Sequence, residues 1–267
     1  MPEKTCTRNS TTTTLNTDES VFEKLIGNSP AFRRQVEIAK KAAAIDLPVL
    51  ITGETGTGKE VFARAIHEGS RRRRGPYVAE NCSAVPPGLT ESIFFGTESG
   101  AFTEAVSRKG LFEEADGGTL MLDELNSMPA YLQAKLLRAV QEGQLRRVGG
   151  VRDIAFDTRL IASLNEDPET LIREGLLRRD LYYRLNVIRI DLPPLRERKE
   201  DIPLYIEAFL READEKYGKK FCGLNKNSVE KLIKREYPGN VRELRNLIEG
   251  AVAMSGGEGL LHLEDLD

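Results

Sequence analysis

Cysteine is scarce in this chain. Its 267 residues include three, Cys6, Cys82 and Cys222, too few and too scattered for a disulfide framework or a zinc site. That usage fits a reducing cytoplasm. Long apolar runs are missing as well. None approaches the roughly 18 residues of a membrane span, so no membrane partner is expected. The N-terminus shows no basic-then-apolar signal pattern. Charge of one sign is also lacking: 39 basic against 42 acidic residues leave a net charge of −3. A broad grip on nucleic acid by charge alone is thereby excluded, although a local basic patch is not. What is present is an ordinary soluble composition, with length for one large domain or two unequal ones.

Residues 1–20 read as a linker. Nine of them are Ser or Thr, a composition with little apolar surface to offset the entropy of ordering. From Val21 the pattern becomes globular. Phe32, Val36, Ala39 and Ala43 recur at helical spacing, and 48–52 is a short buried-strand candidate leading into helix formers at 59–67. Further strands are expected at 77–79, 119–122, 158–164 and 187–190. Helices are expected at 89–95 and at 130–141, where Leu132, Leu136, Leu137 and Val140 share a side. Residues 96–108 have no period and interrupt the pattern. Strands alternating with helices imply an α/β fold with a parallel sheet. Strand signals stop at Leu192-Pro193-Pro194. Helical patterns at 202–217, 227–235 and 240–253 then predict a small all-helical subdomain, so the chain divides into 21–192 and 193–267.

The chemistry concentrates in two places. Gly53-Glu54-Thr55-Gly56-Thr57-Gly58-Lys59 lies between a strand and a helix. In that context the glycines let backbone N–H groups turn inward around a phosphate, and the helix N-terminus faces the same anion. Lys59 reaches toward β- and γ-phosphates. Glu60 stands where the general motif has a Ser or Thr for magnesium, so it would act through a water. The second place is Asp123-Glu124, at the end of the strand Thr119-Leu120-Met121-Leu122. There Asp123 would hold Mg2+, largely through water, and Glu124 would polarise an attacking water. His67, on the helix after the phosphate loop, reads as structural. Arg71 to Arg74 read as a solvated loop, with a nearby nucleic acid as a second reading. His262 and the cysteines join no constellation.

With the phrases around them, these residues resemble the central AAA+ ATPase domain of bacterial sigma-54-dependent transcription activators. The phrases are Glu80-Asn81-Cys82, Ser99-Gly100-Ala101-Phe102-Thr103, Arg147-Val148-Gly149-Gly150 and Asp180-Leu181-Tyr182-Tyr183-Arg184-Leu185-Asn186. Leu192-Pro193-Pro194-Leu195-Arg196-Glu197-Arg198 and Pro238-Gly239-Asn240-Val241-Arg242-Glu243-Leu244 complete the set. The resemblance covers nearly all of 21–267. It implies an AAA+ P-loop NTPase, with a parallel sheet sandwiched by helices followed by the helical lid, that hydrolyses ATP with Mg2+. It also implies a ring, usually a hexamer, with ATP between subunits. In such rings Arg178 and Arg184 reach into the neighbour's site, Arg242 senses phosphate from the lid, and Asn81 restrains Glu124. Ile26, Gly27 and Asn165 join the nucleotide site, and Glu60 is normal after the loop lysine.

The interrupting segment then resembles the family's sigma-54 contact loop, here Gly100, Ala101, Phe102, Thr103, Glu104 and Ala105. Glu104 replaces the family's second glycine and brings charge and a Cβ into the turn. Leu164 replaces a sensor threonine, and Leu177 and Tyr237 replace a Phe and a Trp. The implied partner is sigma-54 RNA polymerase, with promoter DNA engaged indirectly and enhancer DNA through a C-terminal domain outside the chain. Two other readings stay open. Another AAA+ remodelling ATPase would lack the Gly-Ala-Phe-Thr loop. A nucleotide-dependent regulatory module with weak turnover would draw on Glu104 and Leu164.

Overall fold

A computed structural model of the chain describes residues 19–101, 105–256 and 258–261. All but Glu19 and Ser20 of the expected linker lies outside the described residues, and these two open a 3-10 turn, Glu19–Lys24. The strands are β1 (Val49–Thr52), β2 (Tyr77–Asn81), β3 (Thr119–Asp123), β4 (Gln144–Leu145), β5 (Ile154–Ala155), β6 (Arg159–Leu164), β7 (Ile188–Asp191), β8 (Lys220–Leu224) and β9 (Glu258–Leu261). The helices are α1 (Pro30–Ala44), α2 (Lys59–Glu68), α3 (Thr90–Phe95), α4 (Leu111–Glu114), α5 (Ala130–Glu142), α6 (Pro168–Arg173), α7 (Arg179–Leu185), α8 (Ile202–Tyr217), α9 (Lys226–Lys234) and α10 (Asn240–Met254).

Five strands form a parallel sheet in the order β2-β3-β6-β1-β7. A strand presents alternate residues to opposite faces, and here both faces are covered. Leu50, Leu120, Leu122, Leu160 and Ala162 join one apolar cluster with α3, α5 and α7. Val49, Ile51, Met121 and Ile161 join the other with α1 and α2. The four apolar residues expected along α1 are buried in that second cluster. Leu132 and Leu136 of α5 are buried in the first, with Leu137 and Val140 packed against it.

A third cluster runs from Leu195 to Leu261 and belongs to the helices after residue 192. This region is helical as expected, with one addition: β8 and β9 pair in parallel. Their partners are more than thirty residues apart, and neither strand alternates strongly, so local pattern carries no trace of the pairing. The short helices α4, α6 and α7 also escape periodicity because each is under two and a half turns. Asp167 begins α6 by accepting from the Thr170 N–H at 3.0 Å, with Pro168 at the first helical position. Among the described residues no helix is long and apolar enough to cross a membrane.

Candidate nucleotide site

In a parallel sheet the C-terminal ends of the strands share one edge, the usual place for a ligand crevice. Here β1 runs into the 53–59 loop, β3 ends at Asp123, β6 is followed by Asn165 and β2 ends at Asn81. A cavity of about 420 Å3 opens there, and Ile26, Gly56, Lys59, Asp123, Glu124 and Arg242 are among its lining residues.

The loop has the backbone of a phosphate cradle. Gly58, at φ +104°, has open space where a Cβ would stand. Gly56, at φ +81°, could not carry a Cβ without striking the Gly239 carbonyl, so the loop touches the lid directly. The Val241 N–H closes that contact by donating to the Gly56 carbonyl at 3.0 Å. No side chain caps the N-terminus of α2, which leaves its N–H groups for an anion. Lys59 is buried and donates to the carbonyls of Gly53 and Glu54, at 2.6 and 3.1 Å. Burial pulls its ammonium below the usual range, while Asp123 and Glu124 push it back up.

The carboxylates sit opposite. Glu124 holds φ +53°, a left-handed conformation uncommon outside glycine and of the kind that collects at working sites. Its N–H donates to the Ser163 hydroxyl at 3.1 Å, and that hydroxyl donates to Asp123 Oδ1. Asn81 is expected on Glu124, but its amide donates instead to Asp123 Oδ2 at 3.4 Å, and its oxygen accepts from Ser83. The reason is register: Asn81 lies directly across the ladder from Asp123. Glu60 lies at the exposed part of the cavity lining and faces Arg64 one helical turn on, at 3.7 Å. Asn165 has its side-chain oxygen buried without a partner. Asp123 and Glu124 bring carboxylates to the cradle, and no group of three ligating side chains that could hold a metal ion occurs among the described residues. That donor set fits magnesium, which keeps several waters and takes its remaining ligands from phosphate oxygens.

Glu54, expected at the nucleotide, is turned to the lid. Its carboxylate receives both guanidinium nitrogens of Arg196 at 2.6 and 2.8 Å and the Asn240 amide at 3.1 Å. The guanidinium holds its carboxyl below the usual range. Ile26 lines the cavity and packs against the lid cluster, and a Cβ on Gly27 would meet the Phe32 ring at 2.6 Å. This segment is pinned by Asp201, fully buried, which accepts from Asn28 N–H, Ser29 N–H and the Ser29 hydroxyl at 2.6–2.8 Å. Buried Arg198 adds a second tie from lid to loop, donating to the Thr57 carbonyl at 3.0 Å.

Arg178 and Arg184 are not in this cavity. Arg178 pairs with Asp180 at 2.8 Å, and Arg184 donates to the Val140 carbonyl at 3.3 Å. Both are solvent-accessible. Of the expected contact loop, Gly100, Ala101 and Ala105 are described, whereas Phe102, Thr103 and Glu104 lie outside the described residues. The Gly100 N–H donates to the Ala105 carbonyl at 3.3 Å. Below the loop, Arg147 binds Glu113, Glu98 and Ser107, which ties its base to the neighbouring hairpin.

Ser163, Asp201 and Gln133 escaped the sequence reading, and Arg198 entered it only within the Leu192–Arg198 phrase, with no role. A serine beside the missing sensor hydroxyl at Leu164 was the one local signal for Ser163. Asp201, Arg198 and Gln133 each bond to a partner far along the chain, which no local pattern announces.

Comparison with known proteins decides the family. The sigma-54 interaction domain matches residues 25–191, and the AAA+ ATPase lid domain matches 196–267. The chain belongs to the sigma-54 interaction domain family. It is 48% identical over 231 residues to the transcriptional activator RocR of Bacillus subtilis (strain 168), covering 86% of this chain and 50% of that protein. It is 47% identical over 243 residues to the regulatory protein AtoC of Escherichia coli (strain K12), covering 91% and 52%. The chain thus spans about half the length of these relatives. Its fold superposes with a TM-score of 0.83 on a crystal structure of NtrX from Brucella abortus in complex with ATP, at 35% identity, covering 91% of this chain and 56% of that one. A sigma-54 interaction domain accounts for the cradle and for the sheet with its two flanking clusters, and an AAA+ lid for the third cluster.

Proposed function

We propose that this chain is the ATP-hydrolysing motor of a sigma-54-dependent transcription activator in the bacterial cytoplasm. In this reading 21–192 binds and hydrolyses ATP, 193–267 is the lid, and 1–20 is a linker. The observation that carries it is the convergence of Lys59, Asp123 and Glu124 on the glycine cradle. The backbone N–H groups of the 53–60 loop and Lys59 hold the phosphates. Glu124 accepts the proton of the attacking water. Mg2+, held by Asp123 and phosphate oxygens, would neutralise charge developing on the γ-phosphoryl group. Arg242 contacts phosphate from the lid, with Ile26, Gly27 and Asn165 completing the pocket and Asn81 steadying the carboxylates through Asp123.

Arg178 and Arg184 serve the neighbouring subunit. A phosphoryl transition state needs a cation beyond Lys59, and both arginines are exposed and outside the lining of their own cavity, as a donor to another subunit must be. The ring, a hexamer as is usual in the family, then passes force through the Gly100–Ala105 loop to sigma-54 RNA polymerase and so, indirectly, to promoter DNA. Binding of ATP by the relative NtrX supports the nucleotide assignment.

The test is hydrolysis and binding by two variants. Glu124→Gln is expected to keep ATP affinity and lose turnover by roughly 100-fold or more, the scale of a general base. Lys59→Ala is expected to weaken nucleotide binding itself. A parental rate in Glu124→Gln sinks the assignment.

A further inference from the structure

Gln133 lies on α5 with its neighbours Leu132 and Leu136 in the apolar core, and it is 1% exposed. A buried amide in such surroundings is costly unless its nitrogen and its oxygen both find partners. Here both do. The Gln133 side-chain nitrogen donates to the Met128 carbonyl at 2.8 Å and to the Leu176 carbonyl at 2.8 Å. Its oxygen accepts from the Arg178 N–H at 2.9 Å.

The partners lie at two functional places. Met128 closes the short turn that begins at Glu124 and runs through Leu125–Ser127. Leu176 and Arg178 flank Leu177, which is buried in the same core, and Arg178 is the residue from which α7 starts. One amide thus joins the segment following the Asp123-Glu124 pair to the backbone of the arginine that faces outward. The chemistry leaves little choice of residue. Two carbonyls require two donors and one N–H requires an acceptor, and only a carboxamide offers that set. A glutamate would oppose both carbonyls, and an apolar side chain would strip the partner from one buried and two part-buried backbone groups.

We infer that Gln133 is a positioning residue for the neighbouring subunit's reaction: it holds the backbone of Arg178 where the side chain can reach the next nucleotide site in a ring. This rests on the reading of Arg178 as a donor in trans. Gln133 touches no nucleotide, so its loss leaves the subunit's own pocket intact and spoils only what that subunit offers its neighbour.

The experiment uses the full chain with Gln133→Met, Gln133→Asn, Arg178→Ala and Lys59→Ala, measuring ADP affinity, steady-state ATP hydrolysis and the rate of mixed assemblies. Gln133→Met is expected to bind ADP as the parent does and to lose about tenfold or more in kcat with little change in KM, in the direction of Arg178→Ala. Adding it to Arg178→Ala should cost nothing further, because both act through one group. Mixing it with Lys59→Ala should restore hydrolysis, since a Lys59→Ala subunit cannot bind ATP well but presents a correctly held Arg178. A kcat at the parental value overturns the inference. So does a mixture that stays inactive while the Arg178→Ala and Lys59→Ala mixture recovers, because that places the defect in the subunit's own site. If the latter mixture also fails to recover, the trans reading itself falls. Should Gln133→Met lose its cooperative thermal transition, Gln133→Asn decides by the same criteria, since its carboxamide keeps the same donors and acceptor but is one methylene too short to span all three backbone groups.

Discussion

The Ser163 hydroxyl donates to Asp123 Oδ1 and accepts from the Glu124 N–H at 3.1 Å, so one side chain on β6 orients both carboxylate residues at the end of β3. It is fully buried, and the ladder that pairs Leu122 with Ala162 brings it beside Asp123. Removing it frees the Asp123 carboxylate to rotate and strips the partner from a backbone N–H that helps hold Glu124 in its left-handed conformation. Ser163→Ala is therefore expected to lower kcat about 10–100-fold, as losses of orienting partners do, and to raise the Mg2+ concentration needed for half-maximal rate. ADP affinity measured without metal should stay near the parental value. An unchanged magnesium requirement would remove Ser163 from this role.

Asp201 makes a second prediction, about stability. Its carboxylate is the shared acceptor for two backbone N–H groups and a hydroxyl of residues 28 and 29. Asp201→Ala leaves them unpaired in a buried place, at a cost of about 3–5 kcal/mol. Urea unfolding should show the loss, and nucleotide affinity should fall with it because Ile26 and Gly27 lose their anchor. A cost below about 1 kcal/mol would mean that water replaces the carboxylate without strain.

A pH dependence follows from His67. Its ring bonds the Thr119 hydroxyl at 2.9 Å, and burial holds its pKa below the ordinary 6.5. In the fold the imidazole stays neutral where the unfolded chain already takes a proton. Stability should thus be unaffected above that ordinary value and fall as pH drops below it, by at most about 1.4 kcal/mol per pH unit from this group. Thermal melts of the parent and His67→Gln between pH 7.5 and 5.5 check it: the variant should lose less on acidification.

The contact loop supplies the last prediction. In the proposed function, hydrolysis rests on Lys59, Asp123 and Glu124, whereas coupling to the polymerase rests on Phe102 and Thr103. Phe102→Ala should leave basal ATP hydrolysis nearly intact and abolish sigma-54 binding in a transition-state-like nucleotide complex. Glu104→Gly should tighten that binding at low salt with little change in rate. Weaker binding by Glu104→Gly would show that the acid assists the contact.

Local order along the chain was enough to declare the strand–glycine loop–helix of 48–67, the strand ending at Asp123-Glu124, and the turn to helices after Leu192. Each is a property of neighbouring residues: apolar runs, glycines at positions that need them, and acids at a strand end. Glu54, Asn81 and Glu60 were legible as members of the site but not in their orientation. Glu54 turns to Arg196, 142 residues away, Asn81 to Asp123 across a strand ladder, and Glu60 to Arg64 on its own helix. Ser163, Asp201 and Gln133 were decided by the tertiary structure alone. A polar side chain looks much the same in sequence whether it is solvated or buried, and only the packed chain brings the carbonyls, N–H groups and carboxylates that make its burial favourable.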